Sequence, residues 1–129
     1  MDKSIKISVC IPTYEANGKG VFFLQKNIEG ILKQTYDNFE IIISDHSLND
    51  EVEKYVLSLN NSKIKYLRYS EYIGKPAYNT NNAIKNSTGD YIKIMNQDDY
   101  IESNNFFQNI VDLIKNGSKW VLSNFKHLN

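Results

Sequence analysis

The chain has 129 residues, 41% hydrophobic, 12% aromatic and 23% charged, which suits one packed domain and is too apolar for a disordered segment. Fifteen Lys and Arg balance fifteen Asp and Glu, so the basic face of a nucleic-acid binder is not expected. The single Cys10 cannot pair internally, and no Cys/His cluster has the spacing of a structural zinc site, which fits a reducing cytoplasm.

No stretch reaches the roughly 18 consecutive apolar residues of a membrane span. Met1-Asp2-Lys3-Ser4-Ile5-Lys6 leads directly into an alternating pattern rather than into the apolar core of a secretory signal. Ile5, Ile7, Val9 and Ile11 alternate with polar or small residues, predicting a strand that stops at Pro12. Val21, Leu24, Ile28, Ile31 and Leu32 form one helical stripe. Residues 39–43 read as a buried strand, since Phe39, Ile41, Ile42 and Ile43 leave no polar face. A helix over Val52, Tyr55, Val56 and Leu59 follows, and then a strand over 64–69. The next helix opens after Gly74-Lys75-Pro76, with Pro76 in its first turn, and ends near Gly89. Residues 91–95 make a fourth strand. A helix from near Glu102 carries Phe106, Ile110, Leu113 and Ile114, and Trp120 to Leu122 read as a fifth strand.

Strict strand–helix alternation demands crossover connections, so the fold class is α/β: a mainly parallel sheet, Rossmann-like, with helices on both faces. Ligands of such sheets bind beyond the carboxyl ends of the strands. Residues 12–20, 44–50 and 96–102 lie there.

In the third of these, Asp98 and Asp99 directly follow an apolar strand. Paired carboxylates on a strand tip suit a hard cation, Mg²⁺ or Mn²⁺, whose shell substrate phosphates complete. The competing reading is a cap for the following helix. Pro12-Thr13-Tyr14-Glu15 offers a hydroxyl, a ring and a carboxylate that could hold a flat heterocycle, or simply a turn. Asp45 stands where parallel-sheet proteins set an acid against a ribose or base, or where an Asx turn would form. His46 reads as a solvated loop histidine without a fixed partner, and His127 receives no role. Cys10 reads as a small buried residue, and Tyr66, Tyr69 and Tyr72 as strand and core packing.

Taken together, Ile7-Ser8-Val9-Cys10-Ile11-Pro12-Thr13-Tyr14, Gln34-Thr35-Tyr36 with Phe39-Glu40-Ile41-Ile42-Ile43-Ser44-Asp45, Asn81 with Gly89-Asp90-Tyr91-Ile92, and Gln97-Asp98-Asp99 resemble, in order and spacing, the N-terminal half of a family 2 glycosyltransferase. The resemblance implies the inverting GT-A fold and a single donor-binding domain over 1–129. It also implies transfer of a sugar from a nucleoside-diphosphate donor, with a UDP-sugar expected, to an acceptor hydroxyl in surface polysaccharide or lipopolysaccharide synthesis. By the same resemblance Pro12, Thr13, Tyr14, Glu15, Asp45, Asn81 and Asp98 line the nucleotide, Asp99 with Asp98 holds Mg²⁺ or Mn²⁺, and the acceptor is a saccharide or lipid-linked. The catalytic base is then expected beyond Asn129. A cytoplasmic protein at the membrane's inner face is expected, with copies associating through an uncovered apolar surface. Glu15, His46, Gln97 and Thr80 depart from the family's usual Asn, acid, acid and Arg. Two readings stand beside this one: a nucleotide- and metal-binding module without transferase activity, and a sugar nucleotidyltransferase, for which residues 12–20 lack a Gly-rich phosphate loop.

Overall fold

A computed structural model of the chain describes residues 4–124; His127 lies outside them. Among the described residues strands and helices alternate: β1 Ile7–Thr13, α1 Gly20–Leu32, β2 Phe39–Asp45, α2 Glu51–Ser58, β3 Ile64–Arg68, α3 Pro76–Lys85, β4 Tyr91–Ile94 and α4 Phe106–Lys115. The four strands are parallel and ordered β3-β2-β1-β4. The chain thus steps outward from β1 to β3 and then returns to the other side of β1. That reversal is a topological switch point, and it opens a crevice at the carboxyl ends of β1 and β4.

Period-two alternation sorts the sheet's faces. Ile7, Val9 and Ile11 share one face with Phe39, Ile41 and Ile43, where Leu24, Ile28 and Ile31 of α1, Val52 and Val56 of α2, and Phe107 and Val111 of α4 cover them. Cys10 and Ile42 lie on the other face under Ala83 of α3. Helices therefore cover both faces, as the alternation requires. On the edge strand β4, Ile92 and Ile94 stay 45% and 49% exposed, because α3 packs over β1 and β2.

Several boundaries differ from those expected. β1 continues through Pro12 to Thr13, with Pro12 in register with Ser44. The Cys10 carbonyl accepts from Met95 on the β4 side, while the Thr13 carbonyl accepts from His46 on the β2 side. Alternation turns Pro12's missing N–H toward β4, past that strand's last residue, so no ladder bond is lost. α3 stops at Lys85 rather than near Gly89. Ser87 Oγ donates to the Ile84 carbonyl, and the Thr88 and Gly89 N–H groups leave the helix for Glu40 Oε1 and Ser8 Oγ. α4 starts at Phe106, not near Glu102, and buries Phe107 and Val111 while Leu113 stays exposed. Residues 120–122 are not a strand: Trp120 and Leu122 are 74% and 83% exposed, and among the described residues no strand lies beside them to take their backbone groups. No described helix is long and apolar enough to cross a membrane.

Candidate functional site

The tips of β1 and β2 are tied together by Asp45. Its carboxylate is fully buried. Oδ1 accepts from Thr13 Oγ1 at 3.0 Å, Ser47 N at 3.0 Å and Ser47 Oγ at 2.5 Å, and Oδ2 from Tyr66 OH at 2.6 Å. The Ser47 N–H bond closes an Asx turn, one of the two readings of this residue. Burial and the Asp45 carboxylate push the Tyr66 hydroxyl far above its ordinary pKa. Thr13 is buried with its hydroxyl on Asp45, whereas Tyr14, the next residue, is 43% exposed at the mouth.

Glu15 turns back on its own loop: Oε2 accepts from Gly18 N at 3.0 Å, and Oε1 from Gly20 N at 3.1 Å. It therefore caps the first turn of α1, which has no side-chain cap of its own. Glu15 also borders an open cleft of about 590 Å³ lined by Asn17, Val21, Asn49, Lys54 and Tyr55. Arg68 holds that cleft's far wall by donating to the Ser47 and Asn49 carbonyls at 2.8 and 2.9 Å.

Asp98 and Asp99 are exposed in the turn after β4. Asp99 Oδ2 accepts from Asn96 N at 3.2 Å, so it closes its own turn. Neither acid caps α4, whose flanking Asn105 also makes no side-chain cap. Among the described residues neither has a Lys or Arg ion partner, and no third Asp, Glu, His or Cys joins them. Two exposed, unpaired carboxylates on a rigid strand tip are a donor set that a hard cation accepts while drawing its other ligands from phosphate and water.

Gln97 joins this turn to the β1 loop. Its Oε1 accepts from Tyr14 N at 2.8 Å, and its Nε2 donates to the Gly20 carbonyl at 2.7 Å. Asn27, wholly buried on α1, donates to the Asn96 carbonyl at 2.8 Å, and its Oδ1 has no partner among the described residues. The structure thus brings Thr13, Tyr14 and Asp45 together at the β1–β2 tips and ties Asp98 and Asp99 to Tyr14 through Gln97.

Asn81 stands apart from this network, exposed on α3. Asn79 faces inward instead: its Oδ1 accepts from Ser44 Oγ at 2.7 Å, and its Nδ2 donates to the Thr13 carbonyl at 3.2 Å. Asn79, Asn82 and Ala83 follow helical spacing on one side of α3, a polar stripe that could have been found in the sequence. His46, expected in solvent, is buried: its ring stacks on Tyr69 at 5.4 Å, and Nε2 lies 3.0 Å from the Glu71 carbonyl. Of the tyrosines expected to be packed, Tyr72 is instead 51% exposed and stacks on Tyr78 at 4.1 Å. Cys10 is buried as expected, and burial, with the charge of Glu40, pushes its thiol up to about 11.

A parallel α/β sheet with a switch point, an exposed aromatic loop after β1 and an exposed acid pair after β4 defines the class of Rossmann-like α/β domains. A model of glycosyl transferase family 2 matches residues 8–127, and the chain belongs to that family. It is 29% identical over 123 residues to the Escherichia coli UDP-Glc:alpha-D-GlcNAc-diphosphoundecaprenol beta-1,3-glucosyltransferase WfgD, covering 95% of this chain and 47% of that one. It is 30% identical over 100 residues to the Campylobacter jejuni GalNAc(5)-diNAcBac-PP-undecaprenol beta-1,3-glucosyltransferase, covering 76% of this chain and 31% of that one. The crystal structure of Staphylococcus aureus TarS in complex with UDP-GlcNAc superposes with a TM-score of 0.74 at 22% identity, over 87% of this chain and 32% of that one. The mannosyltransferase PcManGT from Pyrobaculum calidifontis, in complex with GDP-Man and Mn²⁺, superposes with a TM-score of 0.69 at 20% identity, over 84% of this chain and 32% of that one. These likenesses place the fold among glycosyltransferases. The chain spans about half or less of the length of these curated relatives.

Proposed function

We propose that residues 1–129 are the donor-binding part of an inverting glycosyltransferase that moves a sugar from a UDP-sugar to a saccharide or lipid-linked acceptor hydroxyl in surface-glycan synthesis. The observation that carries this reading is the unpaired Asp98–Asp99 turn, tied through Gln97 to the exposed Tyr14 of the β1 loop. In it, Tyr14 supplies a face for the base. Asp45 fixes the floor by orienting the Thr13 hydroxyl, and Pro12, the last residue but one of β1, lines the base beside it. Glu15 supports the nucleotide indirectly, through the α1 turn that it caps. Asn81 remains on the solvent side of α3 as an outer contact. Asp98 faces the ribose, and Asp99 holds Mg²⁺ or Mn²⁺, which when bound offsets the charge of a departing nucleoside diphosphate.

The carboxylate that takes the acceptor's proton belongs, in this reading, to the length of the relatives that the chain does not span. The relatives named for diphosphoundecaprenol acceptors support a working position at the cytoplasmic face of a membrane. Self-association through the exposed Ile92–Ile94 edge belongs to the same proposal.

Calorimetric titration with UDP in the presence and absence of Mn²⁺ tests the reading. Mn²⁺-dependent binding that Asp99→Ala reduces by at least about tenfold, the scale of a lost charged contact, is expected. Binding indifferent to both the metal and the substitution would favour a module without transferase chemistry.

A further inference from the structure

Gln97 precedes the acid pair and uses both ends of its amide. Oε1 takes the Tyr14 N–H, and Nε2 gives its proton to the Gly20 carbonyl. The orientation is forced, since turning the amide over would set donor against donor and acceptor against acceptor. The start of α1 is tight around it: a Cβ on Gly20 would come 2.9 Å from both Gln97 Nε2 and Glu15 Cα. The backbone of the same turn is fastened separately by Asn27, through the Asn96 carbonyl at 2.8 Å. Asn27 keeps this bond although its own Oδ1 is buried without a partner among the described residues, a costly arrangement for an atom removed from water. Two buried or half-buried amides thus hold one short exposed turn, and one of them reaches the loop that presents Tyr14.

We infer that Gln97 is a positioning residue for the donor, setting the separation between the loop that takes the nucleobase and the acids that take the diphosphate's cation. This rests on the donor-site reading above. A ligand that touches both ends benefits from a fixed separation, because its second contact forms without further ordering of the protein. A ligand that touches one end gains nothing from it. Gln97 therefore acts on UDP with Mn²⁺ and leaves uridine alone and Mn²⁺ alone unaffected. A carboxylate at 97 could still accept from Tyr14 but would face the Gly20 carbonyl with a second acceptor, so the neutral amide is what the geometry uses.

The test compares the 129-residue chain with Gln97→Met, which keeps the side chain's length and removes both hydrogen bonds, by measuring Kd for uridine, for Mn²⁺ and for UDP with Mn²⁺ together with thermal unfolding. UDP with Mn²⁺ should weaken about five- to tenfold, the scale of one or two lost hydrogen bonds, while the one-ended ligands change less than about twofold. Gln97→Leu, which likewise removes both hydrogen bonds with a side chain of different shape, should reproduce the pattern. Equal weakening of all three ligands would reduce Gln97 to a structural residue, and unchanged UDP binding in both variants would remove its role; either overturns the inference. Should the unsubstituted chain bind neither UDP nor Mn²⁺, the donor-site reading fails along with it. Should the chain bind both while the variants stay silent, only the inference falls.

Discussion

Asp45 takes four hydrogen bonds from inside the protein, so its three hydroxyl donors, Thr13, Ser47 and Tyr66, can be removed singly and the cost measured. Tyr66→Phe leaves Oδ2 without its donor in a fully buried site and should cost about 1–3 kcal/mol in urea unfolding at pH 7. The Tyr66 hydroxyl titrates higher when folded than unfolded. Its contribution is therefore complete below the unfolded tyrosine pKa of about 10 and is lost as pH rises beyond it. The difference between Tyr66→Phe and the unsubstituted chain should accordingly shrink in strong alkali. Cys10 provides an independent probe. Burial and the charge of Glu40 raise its thiol to about 11, so a thiol reagent at pH 8 should react only as the chain unfolds; fast labelling of the folded chain would contradict the packing of β1. At this scale the sequence pointed correctly to an acid at the β2 tip and a carboxylate pair after β4. It did not reveal Asn27, because a polar residue within an apolar helical stripe is recognisable only once its acceptor is known, whereas Asn79 carried a signal in its helical spacing with Asn82.

Among the elements, Glu40 is the joint between β2 and the α3–β4 connection. It accepts from Ser8 Oγ at 2.7 Å and Thr88 N at 2.6 Å, and it pairs with Lys6 at 3.3 Å. Burial alone would raise its pKa, but the bonds from Ser8, Thr88 and Lys6 outweigh burial and lower it below 4.5. A depressed carboxylate stabilises above its unfolded pKa, and that contribution is lost as pH falls through the folded value. Glu40→Gln should therefore cost about 1–3 kcal/mol at neutral pH, with the gap narrowing as pH falls below the unfolded glutamate value of about 4.3; a gap that did not narrow at any acid pH would show that the charge does not matter. Gly89 passes under the same joint, where a Cβ would come 2.4 Å from Ser8 Oγ and 2.8 Å from Ser8 N. Gly89→Ala should lower the urea midpoint by the equivalent of about 1–3 kcal/mol, because backbone as well as a side chain must move. Strand–helix alternation was legible because the period changes from two to 3.6 at each boundary. The expected fifth strand was not, since Trp120 to Leu122 have the composition of a strand but no edge beside them among the described residues, and pairing is a tertiary fact. The end of α3 was misplaced for a similar reason: the Thr88 and Gly89 N–H groups are drawn off by β1 and β2 residues distant in sequence.

For the molecule as a whole, the order β3-β2-β1-β4 matters more than any one residue, because it alone brings the loop after β1 beside the turn after β4. Alternation implied a parallel sheet, and the family pattern implied which strand tips carry the site; strand order itself needed the structure. Paramagnetic line broadening by Mn²⁺ in the presence of UDP tests the shared site most directly. The amides of residues 96–100 and 13–15 should broaden first, while those lining the opposite end of the sheet, Asn38, Phe39, Ile64 and Lys65, keep their intensity. Broadening centred on that opposite end, or absent from residues 13–15, would contradict a donor site at the switch point.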